Sequence, residues 1–137
     1  MSKIKFGTDG WRGIIAKDFT VDNVKRVAKA TADWVQKQDA SAKIVIGFDC
    51  RFGGNLFSQA AINVFCQQGI KVYFDKHFVS TPMISLAAKN LGCEVGVILT
   101  ASHNPPSYNG YKLKTKHGGP LIQKYINEVE ALIPDSF

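Results

Sequence analysis

Apolar residues recur along this chain in two rhythms. Short continuous runs, Ile44-Val45-Ile46-Gly47-Phe48, Val72-Tyr73-Phe74 and Val95-Gly96-Val97-Ile98-Leu99, have no alternating polar face and predict strands buried on both sides of a sheet. Between and before them, apolar positions return every three or four residues. Val24, Val27, Ala28, Thr31, Trp34 and Val35 form one stripe, entered through a cap at Thr20 or Asp22. Leu56, Phe57, Ala60, Ala61, Val64 and Phe65 form a second, with Gly69 as its stop. A third helix is predicted over residues 82–91, with Pro82 in its first turn and Gly92 just past its end, and a fourth over about 121–133, stopped by Pro134. Further strands are expected near residues 4–6 and 111–113, as antiparallel edges. Strands separated by helices call for crossover connections, so the expected fold is a three-layer α/β/α domain with a mixed, mainly parallel sheet.

Composition narrows the class. A chain of 137 residues, 45% hydrophobic and 20% charged, fits one compact domain with a sizeable core. No run approaches the length needed to span a bilayer, and the opening segment carries Asp9 and Asp18 where a signal peptide would be apolar. The expected setting is therefore cytoplasmic, with no membrane partner. Cys50, Cys66 and Cys93 are odd in number and contain no CxxC pair, which argues against a disulfide framework or a structural zinc site; each is expected to pack, reduced, as a small apolar residue.

The formal charge of +6 is unevenly spread. No carboxylate occurs between Glu94 and Glu128, yet Lys112, Lys114, Lys116, Lys124, His103 and His117 lie there, so this stretch predicts a local positive field that attracts an anion. Nucleic acid is not the expected anion, because only three lysines alternate and they share one side of a strand.

Four loops carry more polar and glycine-rich residues than a turn requires. In Gly7-Thr8-Asp9-Gly10-Trp11-Arg12-Gly13, the glycines allow backbone N–H groups to approach an anion and Arg12 offers a bidentate phosphate contact. Read alone, it is equally a surface loop. Asp49-Cys50-Arg51 follows the central apolar run, and such a pair commonly orients a loop. Ser80-Thr81-Pro82 is a capped helix entry. The fourth loop, Thr100-Ala101-Ser102-His103-Asn104-Pro105-Pro106, leaves the end of the 95–99 strand, so Ser102 is expected to project from the sheet's C-terminal edge with a free hydroxyl able to act as nucleophile or phosphate carrier. Asn109-Gly110 predicts a tight turn that returns Lys112 toward the site. The surroundings are not Gly-x-Ser-x-Gly, so no hydrolase elbow is indicated. On spacing alone, Ser102 is equally a serine on an ordinary loop.

Taken together, Gly7-Thr8-Asp9-Gly10-x-Arg12-Gly13, Thr100-Ala101-Ser102-His103-Asn104-Pro105 and Tyr108-Asn109-Gly110-x-Lys112 resemble the α-D-phosphohexomutases, the phosphoglucomutases and phosphomannomutases. The resemblance runs from Lys3 to about Ile133. Cys50 and the Gly53-Gly54 pair depart from the more polar residues expected there. It implies a phosphoserine at Ser102 that passes its phosphoryl group to a hexose phosphate, through a bisphosphorylated sugar that reorients and returns the other group. It also implies that Arg12 contacts the transferred group and Lys112 stabilises charge or assists proton transfer, with His103, Asn104, Thr8 and Arg51 binding phosphate or substrate. Mg2+ would be held through the phosphate on Ser102, its other ligands coming from an aspartate-rich loop outside this chain, and a hexose bisphosphate would serve as activator. The chain then resembles the first of four domains, with the remaining domains of the same protein as its partners and little mutase activity alone. A non-catalytic phosphosugar-binding module is the alternative reading. Phosphoryl transfer is catalysed chiefly by positioning and by positive charge around the phosphoryl oxygens, which suits a carboxylate-free segment centred on a serine.

Overall fold

The computed structural model describes residues 3–7 and 10–137. Five strands form one sheet: β1 (Trp11–Ile14), β2 (Lys43–Phe48), β3 (Lys71–Phe74), β4 (Val95–Leu99) and β5 (Tyr108–Thr115), in the spatial order β1-β5-β4-β2-β3. β2 pairs in parallel with both β3 and β4, whereas β5 pairs antiparallel with β4 and with β1. Helices α1 (Val21–Gln38), α2 (Gly54–Gln67) and α4 (Gln123–Ala131) make one outer layer, and α3 (Thr81–Asn90) alone packs on β2, β4 and β5 from the opposite face. The domain is thus α/β/α with a mixed sheet. No helix among the described residues is long and apolar enough to cross a membrane.

Local chemistry accounts for these elements. Thr20 caps α1, its hydroxyl accepting the Asn23 N–H at 3.2 Å, while Asp22 and Lys37 oppose the helix dipole at the two ends. The α1 stripe is fully buried at Val24, Val27, Ala28 and Val35. Ser80 caps α3 with Pro82 in its first turn, and Gly92 at φ 66° follows its end. α4 is shorter than its periodicity predicts. The Leu121 N–H bonds the Leu113 carbonyl at 3.2 Å and Pro120 bridges Lys114, so the sheet holds residues 120–121 and the helix starts after them.

Four sequence expectations are corrected. No strand forms over residues 4–6; Ile4 and Phe6 are buried without sheet pairing, and the strand is instead Trp11–Ile14, overlapping the end of the segment read as a glycine loop. Residues 111–113 are not an edge, because β1 pairs outside them and β5 runs on to Thr115. Asn109-Gly110 is not a turn: both residues lie within β5, opposite Gly13 and Arg12. The Asn109 side chain meets its polar needs internally, accepting the Gly110 N–H at 2.8 Å and donating to the Phe52 carbonyl at 3.2 Å. The cysteines do not all pack as apolar residues: Cys93 is buried, but Cys50, in the loop after β2, and Cys66, near the end of α2, are exposed.

The larger core lies under α1, α2 and α4, where Trp11 stacks on Phe19 and Phe19 meets Phe57 edge-on. Tyr111 is wholly buried there, and its hydroxyl pairs with Thr31 Oγ1 at 2.8 Å. Burial raises this phenol well above its ordinary value. Its proton is therefore kept in the folded state at pH values where the unfolded phenol, with a pKa of about 10, has already lost it. Folding stability supplied by Tyr111 is complete below that value and falls as pH rises above it. Tyr111→Phe is expected to remove that alkaline slope while costing about 1 kcal/mol at neutral pH, since Thr31 still donates to the Val27 carbonyl. Urea unfolding of both proteins across pH 9 to 11 measures it.

Candidate active site

The parallel strands β2 and β4 end side by side, and their two following loops meet. Asp49, just after β2, donates its backbone N–H to the Leu99 carbonyl at 3.2 Å and accepts the Thr100 hydroxyl on Oδ2 at 2.5 Å. Thr100 Oγ1 in turn accepts the Ser102 N–H at 3.1 Å. Ser102 itself is exposed and sits at φ 53°, one of two non-glycine residues with positive φ among those described. A serine in the left-handed region costs about 1–2 kcal/mol relative to glycine, so the loop holds it there against its preference.

Arg51 closes the loop from below. Its two terminal nitrogens donate to the carbonyls of Ser102, Asn104, Pro105 and Tyr108 at 2.7, 2.6, 2.8 and 2.9 Å. A planar guanidinium can hold four acceptors in one fork; an ammonium cannot reproduce that spread. The residue expected to bind phosphate thus has four donors engaged by the serine-loop backbone. The Asn104 N–H adds a bond to the Ala101 carbonyl at 2.9 Å.

Arg12 and Lys112 come from β1 and β5. Arg12 pairs with Gly110 and lies two register steps from Lys112, which places both on the α3 face of the sheet. A methyl group on Gly110 would press against Arg12 Cγ, and one on Gly10 against Lys112 Cγ, so the glycines leave room for both stems. Arg12 Nη1 donates to Asn104 Oδ1, which ties the glycine-rich segment directly to the serine loop. Lys112 is only 7% exposed, whereas Lys114 is half-buried and Lys116 exposed, so the three lysines do not form a flat cationic surface.

Ser102, Asn104, Arg12 and Arg51 are therefore joined by hydrogen bonds, Lys112 shares the Arg12 face, and His103 is exposed on the same turn. Thr8 lies outside the described residues. The sequence gives Asp49 only a loop-orienting pairing with Arg51, and gives Thr100 no role. The available signal was the Thr-x-Ser spacing, which suits a hydroxyl accepting the N–H two residues on. A cation such as Mg2+ needs hard oxygen ligands, usually carboxylates. Among the described residues no group of three Asp, Glu, His or Cys side chains could hold one, and the side chains around Ser102 are mostly cationic or neutral. The described residues do not by themselves fit a magnesium site.

Comparison with known proteins adds a second line. The family model for phosphoglucomutase/phosphomannomutase, alpha/beta/alpha domain I, matches residues 3–136. A protein of Schizosaccharomyces pombe named as a probable phosphoribomutase is 39% identical over 137 residues, covering 96% of this chain and 23% of its own length. A phosphoglucosamine/phosphogalactosamine mutase of Sulfurisphaera tokodaii is 39% identical over 127 residues, covering 93% of this chain and 27% of its own. The crystal structure of a Thermus thermophilus protein assigned as a phosphomannomutase superposes with a TM-score of 0.95 at 38% identity, over 98% of this chain and 31% of that one. The chain spans about a quarter of the length of the curated relatives it matches.

Proposed function

Since the chain belongs to the phosphoglucomutase/phosphomannomutase family, as its α/β/α domain I, we propose that it carries the phosphoserine of a sugar-phosphate mutase, an isomerase, at Ser102. A free hydroxyl of a hexose monophosphate attacks the phosphoryl group on Ser102 Oγ. The new P–O bond forms as the P–Oγ bond breaks, the sugar hydroxyl gives up its proton, and Oγ receives one. The bisphosphorylated sugar reorients and returns its other phosphoryl group to Oγ, so the net change is isomerisation. Arg12 balances charge on the transferred phosphoryl oxygens, and Lys112 stabilises charge or carries the proton. His103 and Asn104 shape the turn and contact phosphate, and Thr8 enters this reading on sequence resemblance alone.

One observation carries the reading: an exposed serine held in a left-handed turn at a strand end, linked through Asn104 to an arginine from the far edge strand. Mg2+ belongs to it only as a partner of the phosphate on Ser102, with further ligands from other domains of the same protein; no step above depends on it. A hexose bisphosphate activator would restore the phosphoserine. Relatives named for ribose and for amino-sugar phosphates match this domain at the same 39% identity. The choice of sugar is therefore assigned to the part of those relatives that this chain does not span.

Incubated with glucose 1,6-bisphosphate, the 137-residue chain is expected to gain a phosphoryl group that peptide mass spectrometry maps to Ser102. It is expected not to isomerise glucose 1-phosphate. Robust turnover would overturn the incompleteness of the domain. Hexose phosphate binding by calorimetry without any transfer to Ser102 would make it a non-catalytic phosphosugar-binding module instead.

A further inference from the structure

Resting on the phosphoserine reading, we propose that Asp49, acting through the Thr100 hydroxyl, is the positioning residue that sets the polarity of the hydrogen bond holding Ser102 in its left-handed turn. A threonine hydroxyl has one proton and two lone pairs. Here the proton is donated to Asp49 Oδ2 at 2.5 Å, which turns a lone pair toward the Ser102 N–H at 3.1 Å. Without an acceptor at residue 49, the hydroxyl is free to rotate and present its proton to that N–H, leaving donor facing donor.

Asp49 is itself aimed. Its Oδ1 accepts the Arg51 N–H at 3.1 Å, and its own N–H is bonded to the Leu99 carbonyl at 3.2 Å, so the carboxylate is referenced to the ends of both β2 and β4. Thr100 is buried, with 4% exposure, and its backbone N–H bonds the Gly110 carbonyl at 3.0 Å. The relay therefore spans three strands before it reaches the serine. The Ser102 carbonyl is fixed separately by Arg51 Nη2 at 2.7 Å. Both backbone groups of the strained residue are thus pinned, one by each member of the Asp49-x-Arg51 pair, and strain of this kind persists only where its surroundings over-determine it. Asp49 touches neither phosphate nor sugar in this account; it acts on where Oγ points.

The test uses Thr100→Val, which keeps shape and removes the relay, and Thr100→Ser, which restores the hydroxyl. Amide exchange at Ser102 is read by NMR, alongside melting temperature and the rate of phosphoryl uptake from glucose 1,6-bisphosphate. The valine variant is expected to exchange the Ser102 N–H roughly tenfold faster, with little change in core amides. Its uptake is expected to fall by about tenfold or more, as a misplaced reacting atom requires. Serine is expected to restore both within about threefold, since it keeps the bond. Asp49→Ala is expected to behave as the valine variant does. Unchanged Ser102 exchange in the valine variant, or a uniform rise across all amides with a matching fall in melting temperature, would overturn the proposal. If the unaltered chain takes up no phosphoryl group, the phosphoserine reading fails, while the exchange arm still decides whether the relay holds the turn.

Discussion

Replacing Ser102 by glycine is expected to abolish covalent phosphoryl uptake while leaving the domain at least as stable as before. The serine sits at φ 53°, where a side chain costs about 1–2 kcal/mol. Glycine adopts that conformation freely, but gives back about 0.5–1 kcal/mol through the larger freedom of its unfolded chain. The bonds of the Thr100 hydroxyl and the Arg51 side chain meet only the backbone N–H and carbonyl of residue 102, so they survive the change. The expected net effect is a stabilisation between zero and about 1.5 kcal/mol, read by urea unfolding, together with a complete loss of phosphoryl mass gain. Uptake at the parental rate would move the carrier to another residue. A marked loss of stability would mean that the serine side chain, not function, accounts for its place in the turn.

Gly110→Ala is expected to produce the largest stability loss of any single methyl group added near the site. Its Cβ would lie 2.4 Å from the Thr100 carbonyl oxygen and 3.0 Å from that of Trp11. Both are backbone atoms, so neither can rotate aside, and relief requires β5 to separate from its neighbours. The pairings at stake are the Thr100 N–H to Gly110 carbonyl bond and the Arg12 to Gly110 register. A cost of about 3 kcal/mol or more follows, a large share of the 5–15 kcal/mol typical of a domain. The melting temperature should fall by roughly 10 °C. The same displacement would carry Arg12 away from Asn104, so phosphoryl uptake should fall even at temperatures where the variant is folded. A melting point within about 2 °C of the parent would show that the strands yield more easily than their geometry implies.

Much of the architecture was legible in the residues. The strands Lys43–Phe48, Lys71–Phe74 and Val95–Leu99 were visible as continuous apolar runs, because a strand covered on both faces has no polar side to display. Thr20 and Ser80 marked their helix starts through chemistry confined to one turn. An antiparallel strand through residues 111–113 was legible, but its partner β1 was not. Trp11-Arg12-Gly13-Ile14 is short and glycine-bearing, and it becomes a strand only because β5 offers it a partner nearly a hundred residues later. Asn109-Gly110 carries the dipeptide of a hairpin turn, yet its pairing with Gly13 and Arg12 of β1 and the Thr100 N–H bond to the Gly110 carbonyl override that local preference.

The same division runs through the site. Residue identity alone singled out the candidates for chemistry: a serine hydroxyl after a buried strand, Arg12, Lys112, and a segment from Val95 to Asn127 free of carboxylates. These are properties of residue type and near neighbours, and they need no fold to be read. How those groups are held follows from contacts between distant parts of the chain. Arg12 reaches Asn104 across 92 positions, and Arg51 and Asp49 each reach the serine loop across about 51. A hydrogen bond at that separation leaves no periodicity or spacing in the chain. It exists because two parallel strands end side by side and an antiparallel ribbon folds back against them.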